Sequence, residues 1–257
     1  GTVGLSAGST IDITADAGNG ANLQFDDDAS VEGAITLSGD SFGAYNLIFG
    51  NSTVDSTTIQ GSITASGNSG ARFGGDVTVG RTGQLVLEDT ARADIAGSME
   101  VTGLVDLSGT AVDGLTVADG LDIGENGQVQ LAGSRTLSVT GDSTVAANAN
   151  GMLLDDDSAA TFDGNLDNAG TISLNDNALL TVNNGDTTGG GNLTLSGTAM
   201  ADLNGNAAFA IIQAEDTSMV DVEGDLDLTG NSTFAAGTTL NVGGLLDLAD
   251  GAMLDLQ

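Results

Sequence analysis

The sequence contains no cysteine, proline, histidine or tryptophan, and it contains no lysine either. Without histidine, cysteine or lysine, the chain cannot build a Ser-His-Asp, Cys-His or Ser-Lys nucleophilic site. The same absence excludes zinc sites with nitrogen and sulfur ligands. The lack of proline fits a structure in which nearly every backbone N–H donates to a strand ladder. The lack of cysteine is compatible with an extracellular location that uses no disulfides.

Positive charge is almost missing as well. Four arginines, at positions 72, 81, 92 and 135, stand against 36 carboxylates, for a net charge of −32. Because no basic patch can form, the sequence predicts no nucleic-acid partner and no attraction to anionic membrane surfaces. The acidic balance favours solubility, repulsion between copies and the binding of cations.

Long apolar runs are the third absence. No run approaches the ~18 residues that span a bilayer, so we expect no membrane insertion by this segment. The chain starts with Gly1 and has no signal peptide, which predicts a mature, processed or excised segment. High charge with 40 glycines is typical of disorder, but the Val, Ile and Leu residues follow a strict period that favours a folded chain.

A repeat is what the sequence does contain, and it is clearest over residues 220–257. Gly224 and Gly244, 20 residues apart, each have apolar residues two and four places before them and two and four places after them. Alternation at period two predicts strands rather than helices. A strand motif that recurs about every 20 residues predicts a solenoid.

The same glycine-centred motif recurs along the chain, with one looser copy at Gly120. Its members are Gly33, Gly61, Gly75, Gly97, Gly120, Gly141, Gly164, Gly191, Gly205, Gly224 and Gly244. We therefore predict an all-β fold, a single-stranded parallel β-solenoid of about eleven or twelve coils of roughly 21 residues. It would form one continuous domain over residues 1–257 and a rod roughly 55 Å long, and the crossover preference predicts a right-handed coil.

We expect the motif glycines to point inward and to leave room for the chain to bend at a corner. Residues three places after the glycine should face solvent, and nine of them are polar: Thr36, Thr64, Thr78, Glu100, Thr144, Asp167, Thr194, Asp227 and Asp247. The register is uncertain over 41–58, which is either a wide coil or an excursion from the rod. The apolar stretch 207–214 is predicted as a buried strand in preference to a short helix.

Eight aspartates are the candidate metal ligands. They are Asp26, Asp27, Asp28, Asp155, Asp156, Asp157, Asp227 and Asp247. Clustered carboxylates suit Ca²⁺, and like charges stacked one coil apart would be stabilised by any divalent cation. The calcium patterns of EF-hands and of glycine-rich calcium repeats are absent. We therefore expect no required cofactor, with Ca²⁺ as the candidate cation and solvated turns as the alternative for the Asp triplets.

The two Asp triplets are also the candidates for a paired-carboxylate glycosidase site. Sugar-cleaving grooves usually have aromatic platforms, whereas this chain has seven Phe, one Tyr and no Trp. No phosphate-binding loop is present, and the threonine row is too interrupted by acids for an ice-binding plane. We predict that the chain is not an enzyme, and a polysaccharide-acting enzyme is the least favoured alternative.

Residues 163–184 (DGNLDNAGTISLNDNALLTVNN) and 191–204 (GNLTLSGTAMADLN) resemble the passenger domains of bacterial autotransporters and related large adhesins. The resemblance rests on composition and periodicity and includes no catalytic motif. It implies a right-handed parallel β-helix displayed on the Gram-negative cell surface. The chain departs from that pattern because no membrane-anchoring barrel follows Gln257, so we expect a trimmed longer protein or another means of attachment.

These features predict a secreted or cell-surface structural solenoid of a bacterium that acts in adhesion or extracellular assembly. The alternative is a self-assembling filament or surface-layer subunit that stacks end to end and is stabilised by cations. For that alternative the candidate assembly residues are Leu246, Leu248, Leu254 and Leu256, because the last coil ends without a cap. The expected partners are other copies of the chain, or glycans or proteins of host or cell surfaces.

Overall fold

The computed structural model describes residues 3–15, 23–39, 46–50, 52–110 and 114–257. Within these ranges every regular element is a β-strand, and no helix is long and apolar enough to cross a membrane. The strands form three parallel sheets, stacked as a β-solenoid of about 11 turns with about 22 residues in each turn. The solenoid predicted from the repeat is therefore confirmed, and its handedness stays a prediction.

Each coil contributes one strand to each of the three sheets, except that the last coil contributes only β34 and β35. The first sheet contains β1 (Val3–Leu5), β4 (Ala29–Val31), β7 (Ser56–Ile59), β10 (Asp76–Val79), β13 (Met99–Val101), β16 (Leu121–Ile123), β19 (Ser143–Val145), β22 (Leu166–Asn168), β25 (Thr187–Thr188), β28 (Ala207–Phe209), β31 (Leu226–Leu228) and β34 (Leu246–Leu248). The second sheet contains β2 (Thr10–Ala15), β5 (Ala34–Gly39), β8 (Ser62–Ala65), β11 (Gln84–Leu87), β14 (Leu104–Leu107), β17 (Gln128–Leu131), β20 (Gly151–Leu154), β23 (Thr171–Leu174), β26 (Asn192–Leu195), β29 (Ile211–Ala214), β32 (Ser232–Phe234) and β35 (Leu254–Leu256). The third sheet contains β3 (Leu23–Phe25), β6 (Leu47–Phe49), β9 (Gly70–Phe73), β12 (Arg92–Ile95), β15 (Leu115–Val117), β18 (Thr136–Val139), β21 (Ala159–Phe162), β24 (Leu179–Val182), β27 (Met200–Leu203), β30 (Met219–Val222) and β33 (Thr239–Val242).

The core is a set of columns in which each inward side chain stacks on its counterpart in the next coil. Ile35, Ile63 and Leu85 are in direct register in the second sheet, and all three are fully buried. Between them the outward residues remain partly exposed, which is the period-two alternation of a strand with one wet face. Because one coil cannot bury this apolar face alone, stability is shared among neighbouring coils.

Three phenylalanines at the N-terminal end of the third sheet show how closely these columns pack. Phe25 stacks on Phe49 with ring centroids 4.9 Å apart, and Phe49 stacks on Phe73 at 5.2 Å. The rings are nearly parallel, at 7° and 8°, because in-register parallel strands repeat the same side-chain direction in each coil.

The glycine motif marks two different corners of the coil, whereas a single corner was expected. We call the turns from first to second sheet, from second to third, and from third to first the first, second and third corners. Gly33, Gly61 and Gly191 precede strands of the second sheet and lie at the first corner, while the other motif glycines precede first-sheet strands at the third corner. Where two successive motif glycines lie at different corners, the distance between them is not a whole number of coils, and this accounts for the uneven spacing of the motif. The polar row after the glycines is divided in the same way between two sheets, and its members face outward.

The third-corner glycines are required by the close approach of the neighbouring coil, and the expectation that they also leave room for a bend stays a prediction. A Cβ added to Gly164 would lie 2.6 Å from the carbonyl carbon of Gly141 and 2.7 Å from the backbone nitrogen of Asp142, one coil earlier. A Cβ on Gly224 would lie 2.8 Å from the carbonyl oxygen of Gly205. Backbones of adjacent coils approach here more closely than any side chain allows.

The two stretches of uncertain register now have a structural description. Ala34 pairs with Ser62, 28 residues later, so the described part of 41–58 belongs to a wide coil that includes β6 and part of β7. Residues 40–45 and 51 lie outside the described residues. Over 207–214 the chain forms β28 and β29 with a turn at Ala210, so the prediction of strand over helix is confirmed.

Candidate functional site

A ladder of Asp and Asn side chains runs along the third corner, in the position just before each first-sheet strand. The Oδ1 atom of Asp142 accepts a hydrogen bond from the backbone N–H of Asn165 at 2.8 Å, and Asn165 Oδ1 accepts from the N–H of Asp186 at 2.9 Å. The pattern continues in the next two coils. The backbone N–H of Asn206 donates to Asp186 Oδ1 at 2.8 Å, and the N–H of Asp225 donates to Asn206 Oδ1 at 3.0 Å. Each side chain thus receives the N–H of the next coil, which an exposed corner would otherwise leave to water.

Neutral amides separate the carboxylates in this ladder. Asn165 lies between Asp142 and Asp186, and Asn206 lies between Asp186 and Asp225. Directly stacked like charges at the coil spacing would repel, whereas an amide oxygen accepts the same hydrogen bond without a charge. The ladder ends at Leu245, whose N–H donates to Asp225 Oδ1 at 2.7 Å and whose own side chain accepts nothing.

The first predicted metal triplet, Asp26 to Asp28, lies at the third corner, before β4. Asp28 Oδ1 accepts from the backbone N–H of Ser56 at 2.8 Å and from its hydroxyl at 3.2 Å, as in the ladder. Asp26 accepts from the side-chain amide of Gln24 at 2.5 Å. These carboxylates therefore already serve as acceptors within the fold.

The second triplet, Asp155 to Asp157, lies at a different corner, between β20 and β21. Asp156 has φ +59°, and its Oδ2 accepts from the N–H of Gly133 at 3.0 Å. Asp155 and Asp157 accept from the side-chain amides of Asn175 at 2.6 Å and Asn177 at 3.0 Å. The three carboxylates diverge toward the previous and the following coil, so the two triplets have unlike settings despite their similar sequences.

Asp227 and Asp247 are brought together by the structure. They are in-register neighbours on the outward face of the first sheet, and both are exposed. Two further pairs of acidic residues, which the sequence reading did not single out, stack in the same way: Glu100 with Asp122 in the first sheet, and Asp202 with Asp221 in the third. Among the described residues, no three acidic side chains are placed to hold one metal ion, and calcium binding stays a prediction.

Asp106 is a carboxyl group with a perturbed environment. It lies half-buried on the outward face of β14, and burial raises its pKa above the usual range of an aspartate. Its in-register neighbours are Val86 and Gln130, so the strand ladder supplies no second carboxyl group beside it. A glycosidase site requires two carboxyl groups flanking the scissile bond.

The last coil exposes the inward side of the solenoid. Leu246 is 42% exposed, Leu248 39% and Leu256 67%, whereas their counterparts one coil earlier, Leu226, Leu228 and Phe234, are buried. Leu254 packs against the core more closely than these three. The predicted assembly residues therefore do lie at one apolar edge. Three of them line a recess of about 470 Å³ together with Phe234, Leu240 and Val242.

Three features were not identified from the sequence. Leu245 and Met253, 73% and 61% exposed, extend the apolar edge, but they fall outside the period-two pattern. Arg135 is fully buried, and its guanidinium donates to the backbone carbonyls of Asp89, at 3.0 Å, and of Ala91. Nothing in its local sequence, GSRT, separates it from an exposed turn residue.

No family model matches this chain, and no curated protein and no solved structure is significantly similar to it. The site is therefore interpreted from its geometry alone.

Proposed function

We propose that this chain is the rod-forming part of a secreted or cell-surface bacterial protein that acts in adhesion or extracellular assembly. The single observation that carries the proposal is the continuity of the three parallel sheets, which hold in-register columns from β1 to β35. A rod with buried apolar columns and acidic outer faces suits a display or spacer role, because length grows by one coil at a time. The resemblance of residues 163–184 and 191–204 to autotransporter passenger domains supports a bacterial surface location.

The test of this proposal is location followed by binding. Antibodies against the folded rod should label intact cells of the source bacterium, and external protease should remove the label. Purified rod should then adhere to glycans or proteins of a host or cell surface, measured against a second acidic β-solenoid as control. Labelling that requires permeabilised cells would contradict the proposal.

A second candidate function, end-to-end assembly, is favoured by the apolar edge of the last coil. Leu246, Leu248 and Leu256 on one copy would meet the open strand edges of the first coil of another, where Leu5 and Ile11 are partly buried. Parallel pairing there would repeat the coil-to-coil contact that holds each rod together. Leu256→Glu should shorten the particles seen by negative-stain microscopy, while Val54→Glu, at an exposed site on a side loop, should leave them unchanged.

We infer that divalent cations stabilise the rod by screening its stacked carboxylates, chiefly Asp227 with Asp247 and Glu100 with Asp122. Such pairs repel at the coil spacing, and counterions lower that repulsion. Ca²⁺ and Mg²⁺ should raise the melting temperature similarly, and both should act at lower concentration than Na⁺. A response to Ca²⁺ alone would instead indicate an ordered calcium site.

A further inference from the structure

The outward face of the second sheet differs in charge from the rest of the molecule. Over β5 to β29 its outward positions form two columns of residues, which we call the second-sheet face: Ala34, Ser62, Gln84, Leu104, Gln128, Gly151, Thr171, Asn192 and Ile211, and beside them Thr36, Thr64, Val86, Asp106, Gln130, Leu153, Ser173, Thr194 and Gln213. Asp106 is the one charged residue among them.

The other two sheets carry far more charge on the matching positions. Over the same coils, the outward column of the first sheet holds Glu100, Asp122 and Asp167, and that of the third sheet holds Arg72, Asp94, Asp202 and Asp221. In a chain with a net charge of −32, a second strongly acidic surface can approach this nearly uncharged face with less direct repulsion than it would meet at the other two sheets.

The centre of the second-sheet face is also its most apolar part. Val86, Leu104 and Leu153 surround Asp106 and Gln130 in four successive coils, and each is partly buried by its neighbours on the sheet. The burial that raises the pKa of Asp106 reports the same low-polarity surroundings. Gln130 lies in the middle coil of the face, with equal numbers of coils on either side.

We propose that the second-sheet face is a self-association surface, on which two copies of the rod pack side by side and antiparallel about a two-fold axis near Gln130. A two-fold contact is self-complementary and brings together coils that are equidistant from Gln130, so Leu153 of one copy would cover Asp106 of the other. Nine coils give a strip about 43 Å long, and a width near 13 Å makes roughly 550 Å² per copy, somewhat below the ~800 Å² per partner of a standard interface. The pairing is therefore weak, and it strengthens with salt as the acids on the flanking faces are screened.

An uncharged polysaccharide is the other occupant that a neutral polar face could accept. The described residues of the second-sheet face include no aromatic side chain on which a sugar ring could stack, whereas they include aliphatic side chains at the centre. Those features favour a second protein copy. This inference does not depend on where the protein is located or on end-to-end assembly.

The absence of cysteine makes a direct test available. Gln130→Cys places one thiol beside the proposed axis, and Ser138→Cys places one in the same coil on the third sheet. Under mild oxidation at high salt, Gln130→Cys should form disulfide-linked dimers much faster than Ser138→Cys. Equal rates would overturn the proposal, because they would indicate random collision.

Sedimentation velocity supplies the second readout, over a range of protein and salt concentrations. The fraction of wild-type dimer should increase with protein concentration and with salt concentration. Leu153→Asp should lower the association constant about tenfold or more, and Asp106→Asn should raise the association constant. Thr161→Asp, an equivalent charge in the same coil on the third sheet, should change nothing. A wild type that stays monomeric at every concentration, or equal losses in Leu153→Asp and Thr161→Asp, would overturn the proposal. Formation of dimers only when a neutral polysaccharide is added would overturn it in favour of that ligand.

Discussion

At both the second and the third corner of the coil, a backbone N–H donates a hydrogen bond to the preceding coil, but the acceptor differs between the two corners. At the second corner the backbone adopts positive φ, at Gly67, Asp89, Gly109, Gly133, Asp156, Asp176, Gly197, Asp216 and Gly237. After six of these residues, namely Gly67, Asp89, Gly133, Asp176, Gly197 and Asp216, the next residue donates its N–H to a carbonyl one coil earlier, as Asn177 does to Asp156 at 2.9 Å. At the third corner the described residues have negative φ angles apart from Gly50, at φ +69°, and Asp or Asn side chains accept the N–H groups.

The difference teaches which residues each corner tolerates. A left-handed conformation favours Gly and admits Asp at a modest cost, so the positive-φ position of the second corner is Gly in some coils and Asp in others. The third corner needs two different residues in adjacent positions. The first is a glycine, which lets neighbouring coils approach, and the second is an Asp or Asn, whose side chain accepts a hydrogen bond from the N–H of the next coil. Similar local sequences such as DGN (163–165), at the third corner, and SGN (66–68), at the second, therefore cannot be exchanged freely.

Removing Arg135 should produce the largest effect, because its side chain reaches across the second corner to carbonyls two coils away. Its column in the neighbouring coils holds small residues, Ser158 and Ala178. Arg135→Met leaves the carbonyls of Asp89 and Ala91 without these donors in a dry site and should cost about 3–5 kcal/mol of unfolding free energy. Urea denaturation followed by circular dichroism measures this.

Arg135→Lys provides the matched control, since a lysine keeps the charge but cannot donate to both carbonyls in the fixed geometry of a guanidinium. We expect it to lie between the wild type and Arg135→Met. A methionine variant as stable as the wild type would mean that the cost of burying the guanidinium outweighs its hydrogen bonds.

Exchanging glycine and aspartate separates the two corners directly. Gly164→Ala at the third corner forces a Cβ to within 2.6 Å of the backbone of Gly141, and it should destabilise the rod by about 1–3 kcal/mol. Asp156→Gly at the second corner loses the hydrogen bond from Gly133 but relieves a positive φ. These terms nearly cancel, so its stability should stay within about 1 kcal/mol of the wild type.

Thermal and urea denaturation of both variants provide the measurement. Asp156→Ala is the control, because it loses the carboxylate while keeping the unfavourable φ, and it should be less stable than Asp156→Gly. If alanine and glycine were equivalent at position 156, the conformational account of the second corner would be wrong.

The repeat was predictable from the sequence because period-two alternation is local and recurs in almost every coil. What could not be predicted is which corner a given glycine marks. Gly185 belongs to the third-corner column, since its added Cβ would strike Gly164, but the polar residues Asp186, Thr187 and Thr188 follow it and conceal the motif. The corner depends on register across coils, which is a property of pairs of distant residues.

The sequence predicted which residues belong to the candidate sites, but it did not predict how their side chains are oriented or which groups they contact. The exposed apolar edge of Leu246, Leu248 and Leu256 follows from the alternation and was identified in advance. The two Asp triplets look alike in sequence, yet each carboxylate is directed by an individual donor, such as the N–H of Ser56 for Asp28 and that of Gly133 for Asp156. Such donors come from other coils, so local sequence does not reveal them.

Breaking one step of the third-corner ladder should have a smaller effect than Gly164→Ala. Asn206→Ala removes the acceptor for the N–H of Asp225, and because that N–H can turn to water the cost should be about 0.5–1.5 kcal/mol. Asn183→Ala is the control, since its amide donates only to the side chain of Asp163, and it should cost less.

Asn206→Asp tests the role of the neutral amide separately from that of the acceptor. The carboxylate still accepts from Asp225, but it stands between Asp186 and Asp225 and repels both. The melting temperature of this variant should therefore recover with added salt, whereas that of Asn206→Ala should not. Identical salt dependence in the two variants would contradict the interpretation of the alternating Asp and Asn residues.

The smallest expected effect is a gain in stability at Thr187, which directly follows the ladder residue Asp186. Its hydroxyl points into the core of the first sheet, between Leu166 and Ala207, and it is buried without a hydrogen-bond partner. Valine has nearly the same shape and no polar atom to desolvate, so Thr187→Val should stabilise the rod by about 0.5–1 kcal/mol. Thr188→Val, one residue later on the solvent side, should change the unfolding free energy less, and a loss of stability in Thr187→Val would show that the buried hydroxyl has a partner in solution.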